Sequence, residues 1–196
     1  MTQAQAQTRT TDMTDPRALR DAYGTFPSGV VAVAARVGGQ LIGLAASSFT
    51  SISVEPPLVS FSIARTSKTW PALRAAKEIG ISVLADHHDA LCRQLAGPAE
   101  SRFEDLGLHT SAAGAVLLDE AVSTFTTTLH SELEAGDHLI VLLEVSAAES
   151  SGDREPLVFH RSGFQRLHRD DLDPAALSGR LNGEPVENEG EGADAA

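Results

Sequence analysis

The 196-residue chain has a single cysteine, few basic residues and no long apolar run. One cysteine, Cys92, excludes an intrachain disulfide framework. No apolar stretch approaches the ~20 residues of a membrane-spanning helix, and no basic segment followed by an apolar core marks a secretory signal. The net charge of −12 disfavours general binding to nucleic acid. These absences favour a cytoplasmic protein that has neither a membrane nor a nucleic acid as partner.

Common catalytic and metal-binding motifs are missing as well. There is no Gly-x-Ser-x-Gly elbow, no Gly-x-Gly-x-x-Gly after a strand and no Walker loop. No cysteine pair or His-x-x-x-His pair offers metal ligands, and the adjacent His87 and His88 are expected to point to different faces of a helix. Cys92 is expected on the inward face of a helix, which predicts a structural thiol. We therefore expect no metal site, and we expect any nicotinamide nucleotide to bind outside a Rossmann unit.

Composition divides the chain into three regions. Residues 1–14 are polar and rich in Gln, Ala and Thr, which predicts a disordered segment. Residues 169–196 are acidic and rich in Gly, Pro and Asn, which predicts a disordered tail. The apolar patterns lie between these two regions, so a single domain is predicted over residues 15–168.

Strand patterns dominate this domain, and a Gly38-Gly39 hairpin joins the first two. Residues 47–53 are polar and predicted irregular, Pro56-Pro57 is predicted to mark a corner, and residues 98–120 are weakly patterned. Short helices are expected from Asp15-Pro16, near Thr69, and after Asp86 as a cap. The predicted strands are 30–36, 40–46, 58–63, 79–84, 122–133, 138–145, 156–160 and 164–167. Because strands do not alternate regularly with helices, the pattern predicts a mainly β, closed antiparallel barrel with short peripheral helices.

The stretch from Gly43 to Trp70 carries the strongest chemical signal. A run of small hydroxyl residues leads to Pro56-Pro57, and a second run, Thr66 to Thr69, follows the next strand. Small residues let a flat ligand approach the backbone, while helix N-termini and hydroxyls bind phosphate. Taken alone, the second run is more simply a helix cap and the first is a set of loop hydroxyls. Their joint occurrence around Pro56-Pro57 favours a flavin site.

At these residues the chain resembles the short-chain flavin reductases, the flavin-reductase-like, FMN-binding split-barrel family. Its members are the reductase components of two-component flavin-dependent monooxygenases. The resemblance runs from about Leu19 to Leu167. Besides the Gly43–Trp70 stretch, it rests on landmarks that occur in the family's order: Phe26–Val30, Glu55–Val59, Leu95–Gly97, Arg102-Phe103, Gly136–His138 and Pro156–Phe164.

The resemblance implies an antiparallel split β-barrel of Greek-key topology, which forms a homodimer and holds FMN or FAD near its interface. It implies that Ala45–Ser48 lies along the isoalloxazine, that Ser62–Thr69 reaches the ribityl chain and phosphate, and that His138 lies near the nicotinamide as the catalytic candidate. Many relatives carry Thr at the position of Ala45, so a hydroxyl contact is lost there. The implied cofactor-binding residues are Pro27, Ser28, Ala45, Ala46, Ser47, Ser48, Ser51, Ser62, Ile63, Ala64, Ser67, Lys68, Thr69, Trp70 and Phe159.

The implied activity is hydride transfer from NADH or NADPH to FMN or FAD, with delivery of reduced flavin to a monooxygenase component. One alternative is a non-catalytic flavin carrier or sensor on the same barrel, and another is an interaction protein whose polar stretches are only loops. A split-barrel oxidase of the pyridoxamine-phosphate type fits the Gly-Asp-His and Pro-Pro landmarks less well. His138 has a simpler interpretation too, as a strand-end histidine bonded to a backbone carbonyl. The sequence leaves open which flavin, which nicotinamide and which monooxygenase are used, and whether the flavin is released.

Overall fold

The structure, a computed structural model, describes residues 10–167. The predicted tail, residues 169–196, and most of the predicted N-terminal segment lie outside the described residues, so these boundaries stay predictions. The helices are α1 (Pro16–Tyr23), α2 (Trp70–Leu73) and α3 (Asp89–Leu95), with a 3-10 turn at Ala99–Ser101. The strands are β1 (Ser28–Gly29), β2 (Val31–Val37), β3 (Gln40–Ala46), β4 (Thr50–Val54), β5 (Pro57–Ala64), β6 (Ile79–Val83), β7 (Leu108–Thr110), β8 (Val116–Leu118), β9 (Ser123–Ala135), β10 (His138–Ser150), β11 (Val158–His160) and β12 (Gly163–Gln165).

A seven-stranded sheet forms the body of the fold, in the order β3-β2-β6-β9-β10-β5-β4. Every pairing in it is antiparallel, and two small sheets, β1-β11-β12 and β7-β8, complete the described part of the chain. The predicted mainly β, antiparallel class is therefore confirmed. Within residues 10–167, β3 and β4 end the sheet and are not paired with each other, so hydrogen bonds do not close the expected barrel.

The hairpin between β2 and β3 forms where the two glycines predicted it. Gly38 and Gly39 have φ values of 59° and 83°, the left-handed conformation that a two-residue hairpin turn needs and that glycine adopts without strain. Val37 pairs with Gln40 directly across the turn. This tight connection fixes the register of β3 along its whole length, and so fixes where its last residues, Ala45 and Ala46, are placed.

The first five residues of β2, Val31–Ala35, are buried on both faces of the strand, which explains their uninterrupted run of Val and Ala. Val31 and Val33 face one core cluster together with Phe61 and Val141. Val30 and Ala32 face a second cluster that includes Leu95 of α3. Successive side chains of a strand point to opposite faces, so Val31–Ala35 is apolar at every position because a cluster covers each side, whereas Arg36, near the hairpin, is exposed.

The longest strands, β9 and β10, form one two-stranded ribbon of thirteen residues on each side. The turn at Gly136, with φ of 64°, joins them. Register shifts between Leu142 and Leu143, and between Val145 and Ala147, interrupt the ladder. The ribbon runs five residues beyond the predicted end at Val145, because β10 continues to Ser150 opposite Ser123.

Two local predictions are wrong. Residues 47–53 were expected to be irregular, yet Thr50–Val54 forms strand β4 at the end of the sheet. Its residues are exposed except for Ser53, so no buried side gives it an apolar pattern. Asp86 does not cap α3, which begins at Asp89: the Asp86 N–H donates to the carbonyl of Glu155 instead.

Helix α1 begins and ends as its sequence predicts. The Asp15 carboxylate accepts a hydrogen bond of 2.8 Å from the Arg17 N–H, Pro16 occupies the first turn, and Gly24 follows the last helical residue. Cys92 and Leu95 are the buried residues of α3, and burial raises the pKa of the Cys92 thiol. Among the helices of residues 10–167, none has the length and apolar character needed to cross a membrane.

Candidate active site

The loop after β3 is tied to the end of β5 by two serines. The Ser48 hydroxyl accepts a hydrogen bond of 2.9 Å from the Ser62 N–H and donates one of 3.2 Å to the Ser62 carbonyl. This reciprocal pair joins the first hydroxyl run to the strand that precedes the second one. The structure therefore brings Ser48, which follows Ser47, next to Ser62, fourteen positions later in the sequence.

The turn before β10 reaches the same place from the other side of β5. His138 lies opposite Ala64 and Ile140 lies opposite Ser62, and the Arg65 N–H donates a 3.0 Å hydrogen bond to the Asp137 carbonyl. His138, Ala64, Ser62 and Ser48 thus lie close to one another across β10, β5 and the loop after β3. We call this set of four residues the site row.

His138 is held by its neighbour in the sequence. Its Nδ1 lies 2.7 Å from the Asp137 carboxylate, and this hydrogen bond, followed by the histidine's charge, holds the pKa of Asp137 below its ordinary value. An ionised carboxylate only accepts hydrogen bonds, so Nδ1 donates to it. The partner is therefore a carboxylate and not the backbone carbonyl of the simpler interpretation. The imidazole is about half exposed, at 46%, and Nε2 is left for a ligand.

The residues of the second hydroxyl run, Thr66 to Thr69, have different hydrogen-bond partners. The Ser67 hydroxyl accepts from the N–H groups of Thr69 and Trp70 at 3.3 and 3.2 Å, so it acts as a cap. The Thr69 hydroxyl accepts instead from Arg102. Lys68 is exposed, and within residues 10–167 no acid forms an ion pair with it. Lys68 and Thr69 therefore stay candidates for a phosphate contact.

Trp70 has a different position from the other members of the predicted set. It is 4% exposed, its ring packs edge-on against Phe61 at 5.6 Å, and its indole N–H donates to Glu132 at 2.6 Å. Its side chain belongs to the core and offers no surface to a ligand. Ile63, which is partly buried, also packs against the first core cluster. Cofactor binding by Ile63 and Trp70 stays a prediction, which for the buried Trp70 concerns its backbone.

Three predicted residues lie beyond the Ala46 end of β3. Ser28 pairs with Phe159, and Pro27, which is exposed, precedes it. Since β2 continues from this point and Val31 pairs with Ala46, the β1–β11 pair lies near the end of β3. Phe159 packs against the same core cluster as Ala45. Ser51 is the outlying member, because it lies in β4 opposite Val59 and no described side-chain hydrogen bond connects it to the site row.

Arg102 is a functional candidate that the sequence showed only as a family landmark. Its Nε donates to the Gly97 carbonyl at 2.9 Å, and its Nη1 donates to the Gly43 carbonyl at 2.8 Å and to the Thr69 hydroxyl at 3.0 Å. One guanidinium therefore connects the end of α3, the middle of β3 and the second hydroxyl run. No pattern in the sequence connects these segments, since Gly43 and Arg102 are fifty-nine positions apart.

A cleft of 750 Å³ begins at Lys68 and Thr69 and extends along β3 away from the site row. One wall is the β2–β3 hairpin and another is the segment from Ala99 to Glu104. A Cβ on Gly43 would lie 2.6 Å from the Phe103 ring and 2.8 Å from Ala34. A glycine is therefore required at this point of β3, where the strand and the wall approach closely.

A histidine pair lies elsewhere on the fold, just before α3 and not on a helix as expected, with His87 exposed and His88 buried. The rings of His87 and His88 are 4.2 Å apart, and both residues contribute with Glu120 to a group whose ligand atoms lie within 4.8 Å of one another. His88 Nδ1, however, accepts the Ala85 N–H at 3.1 Å, which places the neutral ring's proton on Nε2. Metal binding at Nε2 would require that proton to move against a donor, so we assign no metal here.

Comparisons with known proteins identify the family of this chain. A family model described as flavin reductase like domain matches residues 23–168. The chain is 36% identical over 151 residues to a flavin reductase of Pseudomonas putida, a match that covers 76% of this chain and 89% of that protein. It is 32% identical over 150 residues to the reductase component of 4-hydroxyphenylacetate 3-monooxygenase from Thermus thermophilus, covering 76% and 95%.

A solved structure gives the same result. The NADH:FAD oxidoreductase SgcE6 of Streptomyces globisporus, in complex with NAD and FAD fragments, superposes with a TM-score of 0.79 at 31% identity. The match covers 84% of this chain and 100% of that one. With a family model that spans most of the chain and relatives above 30% identity over most of their length, the chain belongs to the flavin-reductase-like family.

Proposed function

We propose that this protein is an NAD(P)H-dependent flavin reductase, which transfers a hydride from NADH or NADPH to FMN or FAD and supplies reduced flavin to a partner monooxygenase. The observation that carries the proposal is the site row, in which Ser48, Ser62 and Ala64 lie beside His138. Family membership and the reductases among its relatives support the same activity.

The residues present fit a flavin. Ala45, Ala46 and Ala64 have side chains short enough to admit a flat ring, and Ser47 and Ser48 are exposed beside them. Lys68 and Thr69 supply an ammonium and a hydroxyl for the phosphate. The flavin, when bound, supplies the electron-accepting ring system. The protein's own residues bind and orient the two ligands so that the reacting atoms meet.

We assign His138 the role of orienting the nicotinamide. The hydrogen bond from Nδ1 to Asp137 fixes the ring, and in the neutral imidazole it leaves Nε2 as an acceptor. An acceptor at this position can take a hydrogen bond from the carboxamide N–H of a nicotinamide. His138→Ala should therefore raise the KM for NADH and lower kcat while leaving the Kd for flavin unchanged.

Steady-state NADH and NADPH oxidation with FMN, FAD and riboflavin as acceptors tests the activity. A matched control for His138→Ala is His109→Ala, which removes another exposed histidine that pairs with an acidic side chain, Asp119, outside the site row. Flavin binding without oxidation of either nicotinamide would overturn the proposal and leave the carrier or sensor. Binding of neither flavin would leave only an interaction protein.

We also propose that the domain is a split β-barrel of Greek-key topology that acts as a homodimer. The face of the sheet opposite the core carries Ile140 and Leu133, which are directly opposite each other on β10 and β9 and are 36% and 49% exposed. Ile140 also neighbours Ser62 of the site row. A second copy that covers this apolar pair would shield the site from water and complete one side of it.

The oligomeric state is tested by sedimentation of the wild type, of Ile140→Asp and of the control Met13→Asp, which changes an exposed apolar residue outside the sheet. We expect a dimer for the wild type and the control, and a monomer with weaker flavin binding for Ile140→Asp. A monomeric wild type with full activity would overturn the proposal.

The domain boundaries and cellular location complete the proposal. We place the working domain at residues 15–168 and the protein in the cytoplasm, where nicotinamide nucleotides and a partner monooxygenase are found together. Removal of the acidic tail after residue 170 should leave flavin reduction and the thermal midpoint nearly unchanged. A large loss of either would show that the tail is part of the working domain.

A further inference from the structure

Arg102 is a partly buried cation whose described partners are all neutral. Its Nη1 donates to the Gly43 carbonyl at 2.8 Å and to the Thr69 hydroxyl at 3.0 Å. Glu100 and Glu104 line the same cleft, yet among residues 10–167 no carboxylate lies within ion-pair distance of Arg102. A charge taken out of water is costly unless an opposite charge compensates it. The guanidinium therefore holds an uncompensated positive charge beside Thr69.

The hydrogen bond from Arg102 determines what the Thr69 hydroxyl can do. A hydroxyl has one proton to donate and two sites that accept, and the guanidinium N–H takes one of the accepting sites. Within the described part of the chain, no acceptor takes the Thr69 proton. That proton is therefore available to a ligand in the cleft, which Thr69 lines. Because its own donor is a cation, the hydroxyl is polarised and donates more strongly.

Arg102 is itself held by two ordered elements. Gly43, which accepts from Nη1, lies in β3 and pairs with Ala34 of β2. Gly97, which accepts from Nε at 2.9 Å, lies just after α3. A functional group is held more precisely when its support is a strand or a helix than when it is a loop alone. Arg102 thus fixes the Thr69 hydroxyl relative to β3.

We propose that Arg102 is a positioning residue for the flavin phosphate, and that it acts by orienting and polarising the Thr69 hydroxyl as a donor to that phosphate. The inference rests on the proposed function, because it deepens the flavin site by a residue outside it. Loss of Arg102 should therefore weaken the binding of flavins that carry a phosphate. Binding of riboflavin, which carries none, should be spared.

Fluorescence titration of Arg102→Gln with FMN and riboflavin tests this assignment. We expect the Kd for FMN to rise about tenfold, because a hydrogen bond strengthened by charge is lost, and the Kd for riboflavin to stay nearly unchanged. A general loss of stability would affect both flavins alike, so the ratio of the two constants isolates the phosphate. The control is Arg154→Gln, which removes another partly buried arginine that donates to a backbone carbonyl, that of Ala121, outside the cleft. It should leave the ratio unchanged.

Thr69→Val tests whether Arg102 acts through the hydroxyl. This variant keeps the shape of the side chain and leaves the bonds of Arg102 to Gly43 and Gly97 in place. We expect the same rise in the Kd for FMN, and little further rise in the double variant, because both changes remove one donor. Thr69→Ser keeps the hydroxyl and should bind FMN like the wild type. If Arg102→Gln does not fold, the contrast between Thr69→Val and Thr69→Ser still decides the question.

Three results would overturn the inference alone. The first is equal weakening of FMN and riboflavin in Arg102→Gln, which would make the residue merely structural. The second is unchanged FMN binding in Thr69→Val. The third is a double variant whose loss is the product of the two single losses, since Arg102 would then act without Thr69. Failure of the wild type to bind FMN, FAD or riboflavin would instead overturn the proposed function, and this inference with it.

Discussion

The hydroxyl of Ser48 both accepts from the N–H and donates to the carbonyl of Ser62, so one side chain satisfies both backbone groups of a residue on another segment. At this point of β5, the Ser48 side chain makes the two backbone hydrogen bonds that a neighbouring strand would otherwise make. Ser62 in turn lies opposite Ile140 of β10. The position of the loop after β3 relative to His138 therefore depends on this pair.

Replacing Ser48 by Ala removes both hydrogen bonds. Each contributes about 0.5–1.5 kcal/mol net, so we expect the free energy of unfolding to fall by about 1–3 kcal/mol and the Kd for flavin to rise severalfold. Ser48→Thr retains the hydroxyl and should behave like the wild type. Ser146→Ala removes a hydroxyl that, among the described residues, donates to the carbonyl of Thr126, away from the site row. A rise in flavin Kd for Ser146→Ala as large as for Ser48→Ala would contradict this assignment. Urea unfolding and flavin titration measure both quantities.

Lys68 should distinguish flavins by their phosphate. A hydrogen bond to a charged group contributes about 1.5–3 kcal/mol, and about 1.4 kcal/mol is tenfold in affinity. Lys68→Ala is therefore expected to weaken FMN binding about tenfold or more and to leave riboflavin unchanged. Lys77→Ala removes an exposed lysine outside the cleft and serves as the control. Equal weakening of FMN and riboflavin would mean that Lys68 does not contact the phosphate.

His88 should make the protein less stable in acid. Burial is the main cause that lowers the pKa of His88, followed by the charge of His87; Arg154 adds to the lowering, while Glu120 and Asp86 oppose it. Because the folded pKa lies below the ordinary value of 6.5, the contribution of His88 to stability is complete above pH 6.5 and is lost as pH falls through the folded pKa.

This dependence is tested by urea unfolding at several pH values between 7.5 and 5. His88→Gln keeps an acceptor for the Ala85 N–H but does not titrate, so its stability should decline less steeply with falling pH than that of the wild type. The exposed His109, changed to Gln, is the control. If the free energy of unfolding fell equally steeply with pH in the wild type and in His88→Gln, the buried imidazole would be ruled out as the cause of the acid sensitivity.

Gly80 is required by packing. A Cβ at this position of β6 would overlap the carbonyl of Val116 and lie 2.9 Å from the Leu117 side chain. Overpacking of this kind typically costs about 1–3 kcal/mol, so Gly80→Ala should lower the free energy of unfolding by at least that much. Gly152→Ala, at an exposed position with nothing within 4 Å of the new carbon, should change it little. Similar unfolding midpoints for the two variants would show that β6 and β8 can move apart without loss of stability.

The sequence predicts those parts of the fold that depend on residues close together in the chain. The Gly38-Gly39 turn and the apolar run of β2 predict the first hairpin, and β3 has the predicted bounds of 40–46. Strand β4 was not predictable in this way, because its hydroxyl residues are exposed and only their pairing with β5 makes them a strand. The start of α3 was also missed, since the Asp86 carboxylate contacts His87 and Arg166 instead of the helix.

The sequence predicts which segments form the site, but it does not predict how those segments contact one another. The hydroxyl runs, Gly136–His138 and the family landmarks identify segments that the structure joins through Ser48, Ser62 and Ala64. The burial of Trp70 and the three hydrogen bonds of Arg102 were not visible, because they depend on contacts between residues far apart in the chain. Such contacts have no periodicity that a single sequence could display.

The β9–β10 ribbon separates the His138 end of the sheet from the Ser150 end. From His138 to Ser150 it extends roughly 40 Å, and its two register shifts interrupt the ladder between those ends. The loop after Ser150, with Gly152 exposed at its tip, is therefore a place where a guest peptide, an affinity handle or a fused oxygenase can be inserted. The pairing of His138 with Ala64 lies at the opposite end and keeps its register when the chain is lengthened there.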